Sequence, residues 1–389
     1  MPTPFSIPMT PFGYPNVFLP GYMGDREAQA RLLVGYALNE DKIAMNKYIT
    51  VVGSDQAKAY YPVFNSSDFV RLKNTTGNER KWADGADRPI AMQGVRFVNR
   101  EFTLERYGES TFVGNLAEEY SQIGPLVTIN QETLASRALT WRAVVTASVL
   151  TDSARYFTTT TPAVNDTYFS TWTTMKTALE GTPGVKPYPT GWFGSNIYAG
   201  TIAAPVFKRW VGHTVRTIQR RTNGQVKLSD LAIVANPNSW AKLAATEEMH
   251  AYLAQQSGSL AVLKGESPDF DESVFGLPNP IYQVRPISES TTVVLGAPLD
   301  SDTDADYGNQ TYTLPDDFFA VVSRPGSIAG MKGSMGYSSI VLFQNKSRAL
   351  KPTTFPDVRS ERVEVAMEDM FTLELVAPDA TMAVGNAGS

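Results

Sequence analysis

The run NQETLASRALTWRAVVTASVLTDSARYF, from Asn130 to Phe157, constrains this chain more than any other segment. It holds no Gly or Pro, Asn130 is placed to cap its start, and its apolar residues recur at helical spacing. Leu134, Ala138, Trp141, Val145 and Val149 fall on one face. Leu139, Ala143, Leu150, Ala154 and Phe157 fall on roughly the opposite one. Two apolar faces predict a helix packed on two sides rather than one lying on a surface. At ~1.5 Å per residue it would span about 40 Å, the width of a domain. Its Val and Thr residues are mediocre helix formers, so tertiary packing has to hold it.

With 389 residues the chain is long enough for two or three domains. At 42% apolar and 19% charged it is too apolar for disorder. The net charge is −5 with acids and bases interspersed, which argues against sequence-specific nucleic-acid binding. There is no cysteine, hence no disulfide and no thiolate metal site. No apolar run approaches the ~18 residues of a membrane span, and the N-terminus lacks a signal pattern.

On the N-terminal side, prolines at positions 2, 4, 8, 11, 15 and 20 alternate with Phe5, Phe12, Tyr14, Phe18 and Tyr22. Proline removes donors and favours extended backbone, so residues 1–23 read as an arm that lies on its own domain or on a neighbouring copy. REAQARLLVGYALNE reads as a helix and KYITVV, 47–52, as a strand. AYYPVF and GVRFV read as extended segments. They bracket a polar stretch carrying Arg71, Lys73, Glu79, Arg80, Lys81, Asp84, Asp87 and Arg88. A two-stranded excursion of this kind buries too little to be stable alone. It reads either as a surface loop or as an arm ordered by ion pairs with an adjacent subunit, and those eight residues are the candidate intersubunit contacts.

REFTLERYGESTFV then reads as a strand and NLAEEYS as a short helix before the long one. Residues 158–203 show little periodicity. A helix follows with an apolar stripe of Val206, Trp210, Val211, His213, Val215 and Ile218, stopped by Asn223-Gly224. Lys208, Arg209, Arg216, Arg220 and Arg221 make it the most basic piece of the chain, read as a solvated face, with contact to a polyanion as the alternative. A buried strand at Leu231–Val234, a turn at Asn236-Pro237-Asn238, two short helices and further strands make 228–343 a mixed α/β segment. ERVEVAMEDMFTLELVA is a late strand, alternating at Val363, Val365 and Met367. The last ten residues are small and polar and are expected to be a loose tail.

The search for chemistry returns almost nothing. His213 and His250 are the two histidines, and neither has an evident orienting partner. DSDTDADYG, from Asp300, puts its glycine one place late for a calcium loop. Thr313 stands where a bidentate Glu is needed, so the segment reads as a turn between strands Val293–Leu295 and Phe318–Val321. GSIAGMKGSMG fits no phosphate-binding spacing, and Ser334 lies in G-S-M-G rather than G-x-S-x-G. Glu118–Glu119 and Glu247–Glu248 read as ordinary solvated pairs. No catalytic residue, cofactor or metal is expected, and the chain does not read as an enzyme.

The order of parts resembles the major capsid proteins of tailed bacteriophages with the Hong Kong 97-type fold. YYPVFNSSDFVRLKNTTGNERKWADGADRP followed by REFTLERYGESTFVGNLAEEYSQIGPL is similar to that family's extended loop (E-loop) and its return. NQETLASRALTWRAVVTASV resembles its spine helix. APVFKRWVGHTVRTIQRRTNG with LAIVANPNSWAKLAATEEMHAYLAQ resembles the approach to its axial domain, and RSERVEVAMEDMFTLELVA its C-terminal return. The resemblance covers about 45–377 and is weak over 158–203. It implies an α+β fold with an N-terminal arm (1–50), an E-loop (51–110), a peripheral domain with spine helix 130–157 (111–227), an axial domain (228–343) and a return with a C-terminal tail (344–389).

The same resemblance implies a shell protein that assembles with itself into hexamers and pentamers around packaged double-stranded DNA. It would form a virion capsid assembled in the host cytoplasm, with a portal protein and room for cement or decoration proteins, and no membrane. Because Met1 is followed almost at once by the proline-rich arm, a separate scaffolding protein and no N-terminal removal are expected. Lys73 and Lys81 lie where some members form Lys–Asn isopeptide links, without an Asn or Glu partner that the sequence assigns. The alternative on the same fold is an encapsulin-type compartment, which would hold enzyme cargo instead of DNA.

Overall fold

The computed structural model describes residues 44–64, 97–120, 126–222, 224–250, 285–289, 292–294, 310–328, 337–357 and 359–389. The architecture is α+β, and the chain forms two compact units. Unit 1 contains Glu105–Arg142 and Asn345–Phe371; unit 2 contains Ile43–Leu104, Ala143–Gln344 and Thr372–Ser389.

Strands β1 (Ile49–Ser54), β2 (Lys58–Phe64), β3 (Phe97–Thr103) and β4 (Glu105–Gly114) lead to helices α1 (Asn115–Tyr120) and α2 (Leu126–Thr151). The long helix therefore starts four residues before Asn130 and stops six before Phe157. Asn130 is an interior residue rather than the cap. Three threonines are accommodated within it because their hydroxyls bond back one turn: Thr133 to Ile129 O (2.9 Å), Thr140 to Ser136 O (3.0 Å) and Thr151 to Ala147 O (2.9 Å). It ends where Asp152 turns extended (φ −77°, ψ 101°) and its carboxylate accepts the Ala154 N–H, opening a short 3-10 turn. Ala154 and Phe157, expected on a helix face, are consequently exposed.

Unit 1 is a small sheet under the first part of α2. β12 (Lys351–Asp357) and β4 both pair antiparallel with β13 (Arg362–Leu375). Alternation along β13 buries Val365, Met367, Asp369 and Phe371 in this unit. Val113, Leu134, Val365 and Met367 form its apolar cluster, with Ala135 and Ala138 against it.

Unit 2 centres on a five-stranded sheet in the order β5-β14-β10-β6-β7. These are Tyr168–Phe169, Met382–Val384, Phe319–Ser323, Leu231–Ala235 and Arg285–Ser288. β6 and β10 are buried at every position, which explains why LAIVA and the FAVV of β10 are continuous apolar runs. Helices α3 (Trp172–Leu179), α4 (Phe207–Arg221) and α5 (Pro237–Ala244) supply Trp172, Trp210 and Trp240 to one large core. α3 was not apparent in the weakly periodic 158–203 stretch. Its cap is Thr171, whose hydroxyl accepts the Thr174 N–H at 3.1 Å. Asn236-Pro237-Asn238 is a helix start rather than a turn: Asn236 accepts the Ser239 N–H at 2.7 Å and Pro237 occupies the first turn.

The C-terminal residues are no loose tail. β14 lies inside the sheet, antiparallel to β10 and parallel to β5, and Met382, Ala383, Val384 and Ala387 are buried. Its small residues are a packing requirement: a Cβ on Gly385 would lie 2.9 Å from Ser170 O, and one on Gly388 2.7 Å from the Asp317 carboxylate.

Elsewhere in unit 2, β2 and β3 form an antiparallel ladder from Lys58↔Thr103 to Phe64↔Phe97. Phe102 of that ladder stacks on Phe343 of β11 (Ile340–Asn345) at 4.1 Å between centroids. β1 neighbours β11 in strand order. β8 (Thr292–Val294) pairs with β9 (Gln310–Tyr312), not with the strand at Phe318–Val321. The Asp300–Gly308 segment lies outside the described residues.

Candidate interaction surface

In unit 1 the register of the three strands fixes which side chains share a face. Glu364 on β13 is opposite Phe112 on β4 and Phe355 on β12. Strands lie ~4.8 Å apart, so the two rings flank Glu364 at positions ~10 Å apart. Phe112 is 51% exposed and Phe355 53%. Ion pairs surround them. Arg362 lies 4.1 Å over the Phe112 ring and 3.4 Å from Asp357; Arg106 (2.8 Å) and Arg348 (3.3 Å) both reach Glu368. Two aromatic rings inside a charged frame have the anatomy of a protein-binding patch.

The sheet is equally open at its rim. Of the ten residues of β4 only Val113 is buried, and none of the seven in β12 is. β12 carries Pro352 and Pro356, which remove outward backbone donors and blunt that edge. β4 has no proline and, among the described residues, pairs only with β13. Its outer edge, open among the described residues, is a template for another strand.

On the other face, between β4 and α2, a pocket of about 200 Å³ is lined chiefly by Tyr107, Leu134, Ala138, Trp141 and Met367. Tyr107 packs edge-on to Trp141 and tilted against Phe371. Burial, and then the Glu105 carboxylate that accepts its hydroxyl hydrogen, pushes Tyr107 up to about 12. Trp141, expected to be buried, stays 46% exposed at this pocket. Its neighbour Arg142 is the buried one, held by Asp369 through Nε and Nη2 at 2.7 Å each, with its guanidinium 5.3 Å over the Phe371 ring.

The eight candidate contacts Arg71, Lys73, Glu79, Arg80, Lys81, Asp84, Asp87 and Arg88, and with them Ser334, lie outside the described residues. His213 is buried in unit 2. Burial first, and then Arg221, Arg220 and Arg216, lower it to about 4, so it is neutral. His250 is exposed. Among the described residues no group of three or more His, Cys, Asp or Glu is placed to hold a metal, and no helix is long and apolar enough to cross a membrane.

One residue read as solvated is instead buried and structural. Glu248 accepts the N–H groups of Val206 (2.8 Å), Phe207 (3.1 Å) and Lys208 (2.9 Å), capping α4, which has no side-chain cap of its own. Glu247 points to solvent. The basic face of α4 is likewise only partly solvated. Arg216 and Arg220 are exposed, whereas Arg221 donates to the carbonyls of Asn165 and Asp166 and Arg209 to Trp192 O.

No protein-family model matches the sequence, and no curated protein matches it. Solved structures do. A phage-related protein from Bordetella bronchiseptica RB50 superposes with a TM-score of 0.51 at 12% identity, over 93% of this chain and 97% of that one. The capsid protein of cyanophage P-SCSP1u superposes with a TM-score of 0.50 at 11% identity, over 89% of each chain. The fold is thus that of viral shell subunits. More narrowly, it is the Hong Kong 97-type capsid fold.

Proposed function

We propose that this chain is the shell subunit of a tailed-phage head, building hexamers and pentamers that enclose double-stranded DNA. The fold supports this reading, and the open face of unit 1 carries it: Phe112 and Phe355 in register, beside a β4 edge that pairs with no second strand among the described residues, and an apolar pocket. A ring of identical subunits needs two different complementary patches on each copy. The charged residues between β2 and β3, Arg71 to Arg88, are proposed as contacts to a neighbouring copy. A separate scaffolding protein, a portal and cement proteins are proposed partners, and the head would assemble in the host cytoplasm.

The test is expression of the full chain, alone and with a co-expressed scaffold, imaged by negative stain. Closed particles are expected. Phe112→Glu with Phe355→Glu should leave soluble subunits with unchanged circular dichroism and no particles. A wild-type chain that stays monomeric under both conditions would refute the reading.

A further inference from the structure

Arg209, His213, Arg216 and Arg220 follow one another along α4 at intervals of four, three and four residues, which places all four on one stripe of the helix. The stripe is ~16 Å long. α4 carries five basic residues and no acidic one, although the chain as a whole is at −5. Two of the five, Lys208 and Arg221, fall off the stripe.

The stripe is ordered at one end and open at the other. Arg209 stacks 4.0 Å over Trp192 and donates to Trp192 O at 2.7 Å. Trp192 stacks on Tyr188 at 5.8 Å and 15°. Tyr188 in turn meets His213 Nδ1 at 3.1 Å. This pile of rings fixes one guanidinium and fills the stripe at the level of the neutral His213. Beyond it, Arg216 and Arg220 are exposed and make no ion pair with the described residues. Two exposed guanidiniums one turn apart, without an ion pair among the described residues, and a third held in place about two turns away match a polyanion with closely spaced charges better than a single carboxylate. Duplex DNA presents one phosphate charge per ~1.7 Å of axis.

We propose that this stripe contacts the phosphate backbone of double-stranded DNA without reading its sequence; the identification of the polyanion rests on the shell reading above. Few contacts per subunit make each one weak, and repetition over many copies gives a lining that orders DNA and still releases it.

The test uses the full chain carrying F112E/F355E, which keeps the subunits soluble and the stripe accessible, and a fluorescent random duplex of about 30 base pairs, with anisotropy read between ~50 and ~200 mM salt. R216Q/R220Q should weaken binding on the order of tenfold at low salt and make the salt dependence of log K shallower by about 2. R216K/R220K should keep the wild-type slope. The proposal is overturned by an unchanged slope in R216Q/R220Q, by an equal loss in R216K/R220K, or by a loss of poly-glutamate binding with DNA binding intact. Negative stain of the chain without F112E/F355E separates the two readings. Particles with an unchanged DNA slope defeat only the stripe, whereas the predicted slope change without particles defeats only the shell.

Discussion

Arg142 of the long helix and Asp369 of β13 form a buried two-point ion pair, 227 residues apart in sequence, with both N···O distances at 2.7 Å. Asp369 also accepts the Leu350 N–H at 3.2 Å, so one carboxylate ties α2 to the start of β12 as well. Removing one partner strands the other charge in a dry site. Arg142→Ala or Asp369→Ala should each cost ~3–5 kcal/mol. The double replacement Arg142→Met with Asp369→Leu should recover much of that loss, short of the Leu350 bond. Urea denaturation of the three variants checks this, and additive single losses would show that the pair is not a coupled unit.

The cap at α4 gives a second, independent case. Three backbone N–H groups converge on Glu248, and Val206 at the helix start offers no side-chain acceptor. Glu248→Ala leaves those donors buried and should cost at least ~2 kcal/mol, while Glu248→Gln keeps an acceptor oxygen and should cost less. A shift of the urea midpoint is the measurement. The Gly200 backbone leaves room for this carboxylate, since a Cβ there would lie 1.9 Å from its Oε2. Gly200→Ala should therefore be destabilising too.

These two sites show where reading the chain residue by residue stops. Apolar runs such as LAIVA and the stripe from Val206 to Ile218 were legible because burial there follows from local pattern alone. Helical spacing put Trp141 on a buried face and said nothing for Arg142. The structure reverses this because Asp369, which decides it, arrives on a strand far along the chain. Glu247 and Glu248 are indistinguishable as neighbours, and only the position of the α4 N-terminus selects Glu248. On the candidate surface, Phe112 and Phe355 become a patch only through Glu364, and register is a tertiary property.

The C-terminus supplies the sharpest contrast between pattern and packing. Small residues read as a loose end are small because Tyr168, Ser170 and Asp317 crowd them. Ala387 N–H also bonds Asp317 O at 2.8 Å, closing the strand onto the turn before β10. Deleting residues 381–389 removes a strand from between two others and exposes the core around Phe319. The truncated chain should be insoluble or lack a cooperative melt. Soluble protein with wild-type circular dichroism would restore the loose-tail reading.

His213 predicts the acid side of the stability profile. It is buried against Tyr188, with its Nε2 lacking a partner among the described residues. Burial, reinforced by the arginines of α4, lowers it from its ordinary 6.5 to about 4. The unfolded chain therefore takes up a proton near 6.5 that the folded chain refuses until about 4. Its contribution is complete above pH 6.5, declines as pH falls through that window, and changes no further below about 4. The loss is of the order of 3 kcal/mol at most. In His213→Gln, which cannot titrate, this decline should vanish. The difference in unfolding free energy between wild type and variant, measured from neutral pH down to about 4, should shift steadily against the wild type. Parallel profiles would mean that His213 protonates as freely in the folded chain as in the unfolded one.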